Sequence, residues 1–262
     1  MRTITVNRYV TPLREGGSMP AVVEGDDLGL YVLKFRGAGQ GIRALIAELI
    51  AGGIAQALGL PVPEIVLAQL DPALAQTEPD PEIQDLIRAS GGWNVALDYL
   101  SGAVNFDPAV DAVTDEFATT LVWFDTLVGN VDRTARNTNL LMWHRKPWLI
   151  DHGAALTFHH AWSGTVALPS RPFAPIADHV LLAQATRLAE LDGPLAARLP
   201  AETLERIVAT VPDCFLAQAG ADHATGPLAD PASHRRAYVD YLRERIAGRA
   251  DGWLKGVIDA RG

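Results

Sequence analysis

The sequence predicts an α+β fold in two lobes: a small N-terminal lobe with an antiparallel sheet and one helix, then a larger, mostly helical C-terminal lobe. Three observations carry this prediction: short β-branched segments separated by turns in the first third, an apolar helical period at 42–58, and a Pro/Asp/Glu-rich linker at 71–81. We therefore place the N-terminal lobe at 1–75 and the C-terminal lobe at 76–262.

The N-terminal lobe is predicted to begin with three strands. Their apolar and β-branched residues indicate an antiparallel meander, with strands at 4–11, 21–24 and 30–35. A helix at 42–58 follows, because its apolar residues recur with a helical period, and it ends at Gly59 ahead of Pro61. A buried-type strand is predicted at 65–70.

The C-terminal lobe is predicted to contain four helices and one hairpin. The first helix spans 114–128, with Asp115 and Glu116 placed favourably in its first turn. A short hairpin has strands at 139–143 and 147–150. The remaining helices are predicted at 177–191, 201–211 and 233–257.

The composition excludes several classes of protein. Of the 262 residues, 48% are hydrophobic and 20% are charged, which indicates a substantial core and argues against global disorder. The net charge of −9 argues against a broad surface for nucleic acid or anionic membranes. Cys214 is the only cysteine, so a disulfide within the chain and a Cys-rich zinc site are excluded. With no signal-peptide pattern and no apolar run of transmembrane length, we expect a cytoplasmic protein without a membrane partner.

The polar residues with the most specific spacing follow the predicted helix at 114–128. Asp132 precedes Asn137 by five positions, and the next apolar strand leads into Asp151 and Gly153. Phosphoryl transfer needs a carboxylate that orients the attacking hydroxyl, and amide and carboxylate oxygens that hold magnesium. The order of these residues therefore predicts the core of an ATP-dependent phosphotransferase. Asp132 is the predicted catalytic carboxylate, and Asn137 and Asp151 are the predicted magnesium ligands.

Each of these residues also has a plainer interpretation. An isolated loop Asp such as Asp132 commonly caps a backbone amide, and an Asp-x-Gly turn ends strands in many folds. Asn139 competes with Asn137 as the amide ligand, and we favour Asn137 because its spacing from Asp132 matches the kinase catalytic loop. Gly153 is expected to allow the sharp turn after Asp151. Arg133 either neutralises phosphate charge or braces the loop.

Lys34 and Glu48 are predicted to form an ion pair that positions the phosphates of a nucleotide. Lys34 lies in a strand of β-branched and aromatic residues, and a lysine at this place is otherwise commonly exposed to solvent. Glu48 is the only acidic residue between Asp27 and Glu64 and lies in the middle of an apolar helix. A buried glutamate needs a cationic partner, and Lys34 is the natural one.

Two glycine-rich turns are candidates for covering the phosphates. The turn at 14–18 lies between the first two predicted strands, and its candidate binding residues are Arg14, Gly16, Gly17 and Ser18. The glycines let the backbone approach phosphate oxygens, and the serine adds a donor. The turn at 37–41 is the rival, because it precedes the start of a helix, where anions bind. We favour 14–18, since 37–41 follows the lysine strand and connects it to the helix.

Together these residues resemble the HipA-like kinase family, a bacterial branch of the protein-kinase-like fold. The resemblance is carried by segments 12–18 and 31–37, by Glu48 ahead of 58–63, and most of all by 130–137 and 150–153. The chain is similar to the short form of the family.

The resemblance implies a two-lobed protein-kinase-like fold that uses ATP and Mg²⁺. It implies that Lys34 contacts phosphates, that Asp132 belongs to the catalytic loop, and that Asn137 and Asp151 bind the metal. Because His152 stands where eukaryotic kinases have Phe, activation by a Phe flip is not expected.

We therefore predict a kinase that transfers the γ-phosphate of ATP to a hydroxyl. The acceptor predicted from the resemblance is Ser or Thr of an unknown protein. A small-molecule kinase, a peptide kinase and a nucleotide-binding pseudokinase scaffold are the alternatives. The presence of all four polar positions, Lys34, Asp132, Asn137 and Asp151, argues against the scaffold.

Overall fold

A computed structural model describes residues 1–13, 19–39, 41–162, 171–220, 230–250 and 252–261 of the chain. The strands are β1 (Thr3–Pro12), β2 (Ala21–Gly25), β3 (Leu30–Lys34), β4 (Ile65–Leu70), β5 (Gly92–Asp98), β6 (Val104–Asn105), β7 (Leu140–Trp143) and β8 (Lys146–Leu149). The helices are α1 (Gly41–Ala57), α2 (Pro81–Ala89), α3 (Asp115–Val128), α4 (Leu188–Ala197), α5 (Ala201–Val208), α6 (Asp213–Gly220), α7 (Pro231–Ala247) and α8 (Trp253–Arg261). Short 3-10 helices span Pro72–Thr77, Thr157–Ala161, Ala174–Asp178 and Leu182–Gln184.

The first five strands form a closed barrel in the order β1-β2-β3-β5-β4. The predicted antiparallel meander of β1, β2 and β3 is present, and β1 also pairs in parallel with β4 to close the sheet. Alternate residues are buried inside, as in Ile4 and Val6 of β1 or Tyr31 and Leu33 of β3. The fold is thus a mixture of sheet and helix, as predicted, but its first sheet is a barrel.

The position of β5 shows that the predicted boundary at 75/76 does not follow the sheet. β5 pairs antiparallel with both β3 and β4, so the barrel extends to Asp98. The predicted linker at 71–81 is a 3-10 helix and the start of α2. Asp80 caps α2 by accepting a hydrogen bond from the backbone of Glu82, and Pro81 occupies its first turn.

Helix α1 lies between the barrel and the C-terminal helices. Gly52 faces β4, where a Cβ atom would lie 2.2 Å from Cδ1 of Ile65. The next residue, Gly53, faces α5, where a Cβ atom would lie 2.7 Å from Cγ2 of Ile207. Two successive glycines therefore let α1 approach both neighbours closely. Glu48 sits on this packed helix and is fully buried.

The second sheet, β6-β7-β8, is antiparallel; β6 precedes α3 in the chain, and β7 and β8 follow it. Thr114 caps the start of α3, and Gly129 ends the helix in the left-handed region at φ 63°. The predicted hairpin is present as β7 and β8. Its paired residues Leu140 and Leu149 are buried in the main core, and this packing fixes the position of the hairpin.

The helices beyond the hairpin differ most from the prediction. The predicted helix at 177–191 is wrong, because this stretch contains 3-10 turns and α4 begins only at Leu188. The predicted helix at 233–257 is divided into α7 and α8 after Gly248 caps the first of them. The prediction at 201–211 corresponds to α5. None of the helices in the described ranges combines the length and apolarity that crossing a membrane requires.

Candidate functional site

Lys34 at the end of β3 is the centre of a cluster of charged groups. Its Nζ atom lies 2.6 Å from Oε2 of Glu48 and 2.7 Å from Oδ1 of Asp151. The exposed fraction of the side chain rises from 0% for Glu48 through 12% for Lys34 to 40% for Asp151. The predicted Lys34–Glu48 pair is therefore formed, and it opens to solvent on the side of Asp151.

The charges of this cluster stabilise one another. Burial has the largest single effect on both Lys34 and Glu48, and alone it would lower the pKa of the lysine and raise that of the glutamate. The opposite charges and hydrogen bonds outweigh burial, so the pKa of Lys34 rises to about 12 and that of Glu48 falls to about 2. Both groups are consequently ionised at neutral pH.

Asp151 reaches Lys34 because the chain turns sharply after β8. The backbone of Asp151 is left-handed, with φ 55°, a conformation that Asp tolerates better than most residues. The sequence had led us to attribute the turn to Gly153, but its positive φ lies at Asp151. The next N–H, that of His152, donates to Oε2 of Glu48 at 2.9 Å.

Asp132 is the centre of a second polar cluster, in the loop after α3. Its Oδ2 atom accepts hydrogen bonds from Nδ2 of Asn137 at 2.8 Å and from Nδ2 of Asn139 at 3.2 Å. The backbone N–H of Asp132 donates to Oδ1 of Asn130 at 3.1 Å. Both candidate amides therefore contact the predicted catalytic carboxylate.

The β7–β8 hairpin links the two clusters. Asn139 stands just before β7, and its carbonyl oxygen accepts a hydrogen bond from Ile150, just after β8, at 3.1 Å. The residue that follows Ile150 is Asp151. Within the described parts of the chain, neither Asn137 nor Asn139 forms a hydrogen bond with Asp151. The binding of one magnesium ion by Asn137 and Asp151 stays a prediction.

The chemistry of the donor set fits magnesium. Asp151 uses one oxygen for Lys34, and its carboxylate is partly exposed. Asn137 and Asn139 point their amide nitrogens at Asp132, which leaves their amide oxygens directed elsewhere. Mg²⁺ prefers oxygen ligands and keeps several waters, so few protein ligands are needed. Over the described ranges, no cluster of three or more His, Cys, Asp or Glu side chains forms a metal site.

The sequence did not predict a buried cluster of polar side chains next to the loop of Asp132. Asp125 of α3 accepts hydrogen bonds from Nε of Arg133 at 2.6 Å, from Nδ2 of Asn130 at 2.9 Å and from Nε2 of His179 at 3.0 Å. The backbone N–H of Leu181 donates to Nδ1 of His179, so Nε2 carries the proton that reaches Asp125. Arg133 therefore braces the loop, the second of the two roles considered above.

Electrostatics favour the charged form of Asp125. Burial, the largest effect, raises its pKa, but Arg133 and His179 together lower it to about 2. The sequence carries one signal for this residue: like Glu48, Asp125 is a single acidic residue within a long apolar stretch of helix, here at 117–128.

A small pocket opens beside Lys34. Its lining residues come from β3, the turn after it, the start of α1 and the Asp151 turn: Lys34, Phe35, Ala38, Gly41, Ala44, Leu45, Asp151 and Gly153. The favoured covering turn, with Arg14, Gly16, Gly17 and Ser18, lies outside the described residues. Two residues of the rival turn at 37–41, Ala38 and Gly41, do line the pocket.

Comparison with known proteins identifies the family. A model of the HipA-like kinase family matches residues 6–224, which include the clusters around Lys34 and Asp132. The chain belongs to the HipA-like kinase family. Membership supports a phosphotransferase, in agreement with the resemblance found in the sequence. A search of curated proteins found no match.

Solved kinase structures are similar to this HipA-like kinase at low identity. The proinflammatory kinase CtkA of Helicobacter pylori is 12% identical, with a TM-score of 0.49 over 98% of this chain and 97% of that one. The Golgi casein kinase is 12% identical, with a TM-score of 0.46 over 100% of this chain and 74% of that one. The same kinase with Mn/ADP bound is 11% identical, with a TM-score of 0.43 over 100% and 75%. Because all three scores are below 0.5, the assignment depends on the family match.

Proposed function

We propose that this HipA-like kinase transfers the γ-phosphate of ATP, with Mg²⁺, to a hydroxyl, and that the acceptor is Ser or Thr of a protein. The observation that supports this most is the contact of Lys34 with both Glu48 and Asp151, at 2.6 and 2.7 Å. Protein kinases combine the same three parts: a strand lysine, a helix glutamate and a metal-binding aspartate that follows a strand.

Lys34 and Glu48 would bind the nucleotide phosphates. The Lys34 ammonium group neutralises phosphate charge, and Glu48 fixes its position from the buried side. Because Lys34 already contacts Asp151, a phosphate oxygen that enters the pocket replaces or shares that carboxylate contact. The turn at 14–18 and the start of α1 are the proposed backbone donors around the phosphates.

Asp132 would orient the acceptor. Its carboxylate accepts a hydrogen bond from the acceptor hydroxyl and takes its proton as the new O–P bond forms and the bond to ADP breaks. Asn137 and Asn139 donate to one oxygen of Asp132, which holds the carboxylate in place while leaving its other oxygen for the hydroxyl.

Asp151 and Asn137 would hold magnesium, with Asn139 as the alternative amide ligand. When bound, Mg²⁺ supplies positive charge that offsets the charge of the phosphates. This assignment places nucleotide and metal between the barrel, which ends at Asp98, and the β7–β8 hairpin. The boundary of the two proposed lobes then moves from 75/76 to the end of β5.

The test is incubation with ATP, Mg²⁺ and a cell lysate, followed by mass spectrometry of proteins and metabolites, for the parent and for Asp151→Ala. Phosphorylated Ser or Thr that needs the parent protein supports the proposal, and a phosphorylated small molecule would redirect it to the small-molecule kinase. A parent that binds ATP but modifies nothing, itself included, would favour the scaffold.

A further inference from the structure

We propose that His152 is a positioning residue, which holds Glu48, and through it Lys34, in the geometry that receives nucleotide phosphates. The effect on nucleotide binding rests on the proposed function. The effect of His152 on the contact between Glu48 and Lys34 concerns the protein without nucleotide. His152 lies between the metal-binding candidate Asp151 and Gly153, at the place where eukaryotic kinases have Phe.

His152 makes two contacts with Glu48. Its backbone N–H donates to Oε2 at 2.9 Å, and its ring atom Nδ1 lies 3.2 Å from Oε1. An ionised carboxylate only accepts hydrogen bonds, so Nδ1 carries the proton and donates it. Oε2 also receives Lys34, whereas the ring of His152 is the hydrogen-bond donor that the described residues offer to Oε1.

The ring of His152 has no other hydrogen bond in the described structure. The side chain is fully buried and lies edge-on to Phe124, with ring centroids 5.9 Å apart. Its Nε2 atom is buried and has no hydrogen-bond partner among the described residues. An apolar ring would fill this space without an unpaired nitrogen, so packing alone does not account for a histidine. The contact with Glu48 does.

The contacts form a closed circuit that joins β3 and α1 to the turn after β8. Lys34 bonds both Glu48 and Asp151, Glu48 bonds His152, and His152 is covalently attached to Asp151. Without the side-chain donor of His152, Oε1 of Glu48 is buried and unpaired, so the orientation of the carboxylate toward Lys34 is less strongly fixed. His152 thus makes the phosphate lysine and the metal-binding aspartate one unit.

Two substitutions separate the effect of the hydrogen-bond donor of His152 from the effect of its ring volume. His152→Asn keeps an N–H near the position of Nδ1, and His152→Phe keeps the ring volume but removes the donor. The nucleotide-free measurement is the coupling between Lys34 and Glu48, obtained by urea unfolding of Lys34→Met, Glu48→Gln and their combination in each background. We expect the coupling to persist with Asn at 152 and to be lost with Phe. Equal coupling in the two backgrounds would overturn the inference.

The second measurement is ATP binding by calorimetry without metal. We expect His152→Phe to weaken binding by about tenfold and His152→Asn by much less, since a charge-assisted hydrogen bond is removed only by Phe. In a Glu48→Gln background, His152→Phe should have no further effect. A full effect there would show that His152 does not act through Glu48. If His152→Phe abolishes the coupling and the parent protein transfers no phosphate, the inference is retained and the proposed function is rejected.

Discussion

Asp125 is the buried residue on which the loop of Asp132 depends. Its two oxygens receive Arg133, His179 and Asn130, and Asn130 in turn accepts the backbone N–H of Asp132. The side chains of Arg133 and Asp125 are both 0% exposed, so neither charge has water as an alternative partner. Removing one partner of such a pair costs more than the pair itself contributes.

We predict that Asp125→Asn lowers the free energy of unfolding by about 3 kcal/mol, because Arg133 is left buried without its counterion. Phosphate transfer should fall as well, since the loop that carries Asp132 loosens. Urea unfolding and turnover with ATP are the measurements. Asp240→Asn, an exposed position on α7, is the matched control and should leave both unchanged. Stability equal to that of the control would contradict the role given to Asp125.

Individual residues were predictable where their type conflicts with their surroundings. Glu48 in an apolar helix demanded a cation, and Lys34 supplies it. Asp125 gives the same signal, but its partners Arg133 and His179 lie 8 and 54 positions away, and no local pattern brings His179 back to α3. The positive φ of Asp151 was equally unpredictable, because the hydrogen-bond partners of Asp151 and of the His152 N–H lie 117 and 104 positions away, at Lys34 and Glu48.

At the level of elements, α1 is the part that must be placed most accurately, because it carries Glu48. We predict that Gly52→Ala destabilises the protein by about 1–3 kcal/mol, since the new methyl group overlaps Cδ1 of Ile65. Adding Ile65→Val removes that atom and should restore part of the loss. Thermal or urea unfolding of the three proteins measures both effects.

The control for this prediction is Gly193→Ala in α4, where a Cβ atom would meet nothing within 4 Å. Alanine favours a helix over glycine by up to about 1 kcal/mol, whereas Pro194 disfavours the helical conformation of a preceding residue that carries a Cβ atom, so the two effects oppose each other and the net change in stability should be smaller than that of Gly52→Ala. If Gly52→Ala behaved like Gly193→Ala, α1 would not be in close contact with β4.

Elements with a strong local period were predictable, and those that depend on distant contacts were not. Helix α1 and the β7–β8 hairpin lie within one or two residues of their predicted limits. The segment at 177–191 is apolar enough for a helix, but His179 and Val180 pair with the loop at 133–134 instead. These contacts take the backbone groups that a helix would use.

At the level of the whole molecule, barrel closure was the feature least accessible from sequence. β1 pairs with β4 across about sixty residues, and β5 inserts between β3 and β4. No short turn in the sequence indicates either pairing, since the paired strands are separated in the chain by α1 or α2. The Asp and Pro residues at 71–81 indicated a linker, whereas Asp80 and Pro81 begin a helix.

Stability should fall steeply in acid, because two buried carboxyls have depressed pKa values. The pKa of Glu48 is about 2 against a usual 4.5, and that of Asp125 is about 2 against 3.8. The unfolded chain therefore binds more protons in this range, and the stabilisation is lost as pH falls from about 4.5 to about 2. Each carboxyl contributes on the order of a few kcal/mol at neutral pH.

The measurement is the free energy of unfolding in urea between pH 7 and pH 3, for the parent and for Glu48→Gln. We expect the parent to lose stability below about pH 4.5 and the variant to lose less over the same range, since one of the two carboxyls is absent. Parallel curves for the two proteins would contradict the charged state assigned to Glu48.

The central claim, that Asp132 receives the acceptor proton while the Lys34 cluster binds ATP, is tested most directly by single-turnover phosphate transfer in Asp132→Asn. Asn at this position keeps the shape and accepts hydrogen bonds, but it does not take a proton. The account predicts ATP affinity close to that of the parent and transfer slower by about 10²–10⁴-fold. Transfer at the parental rate would contradict it.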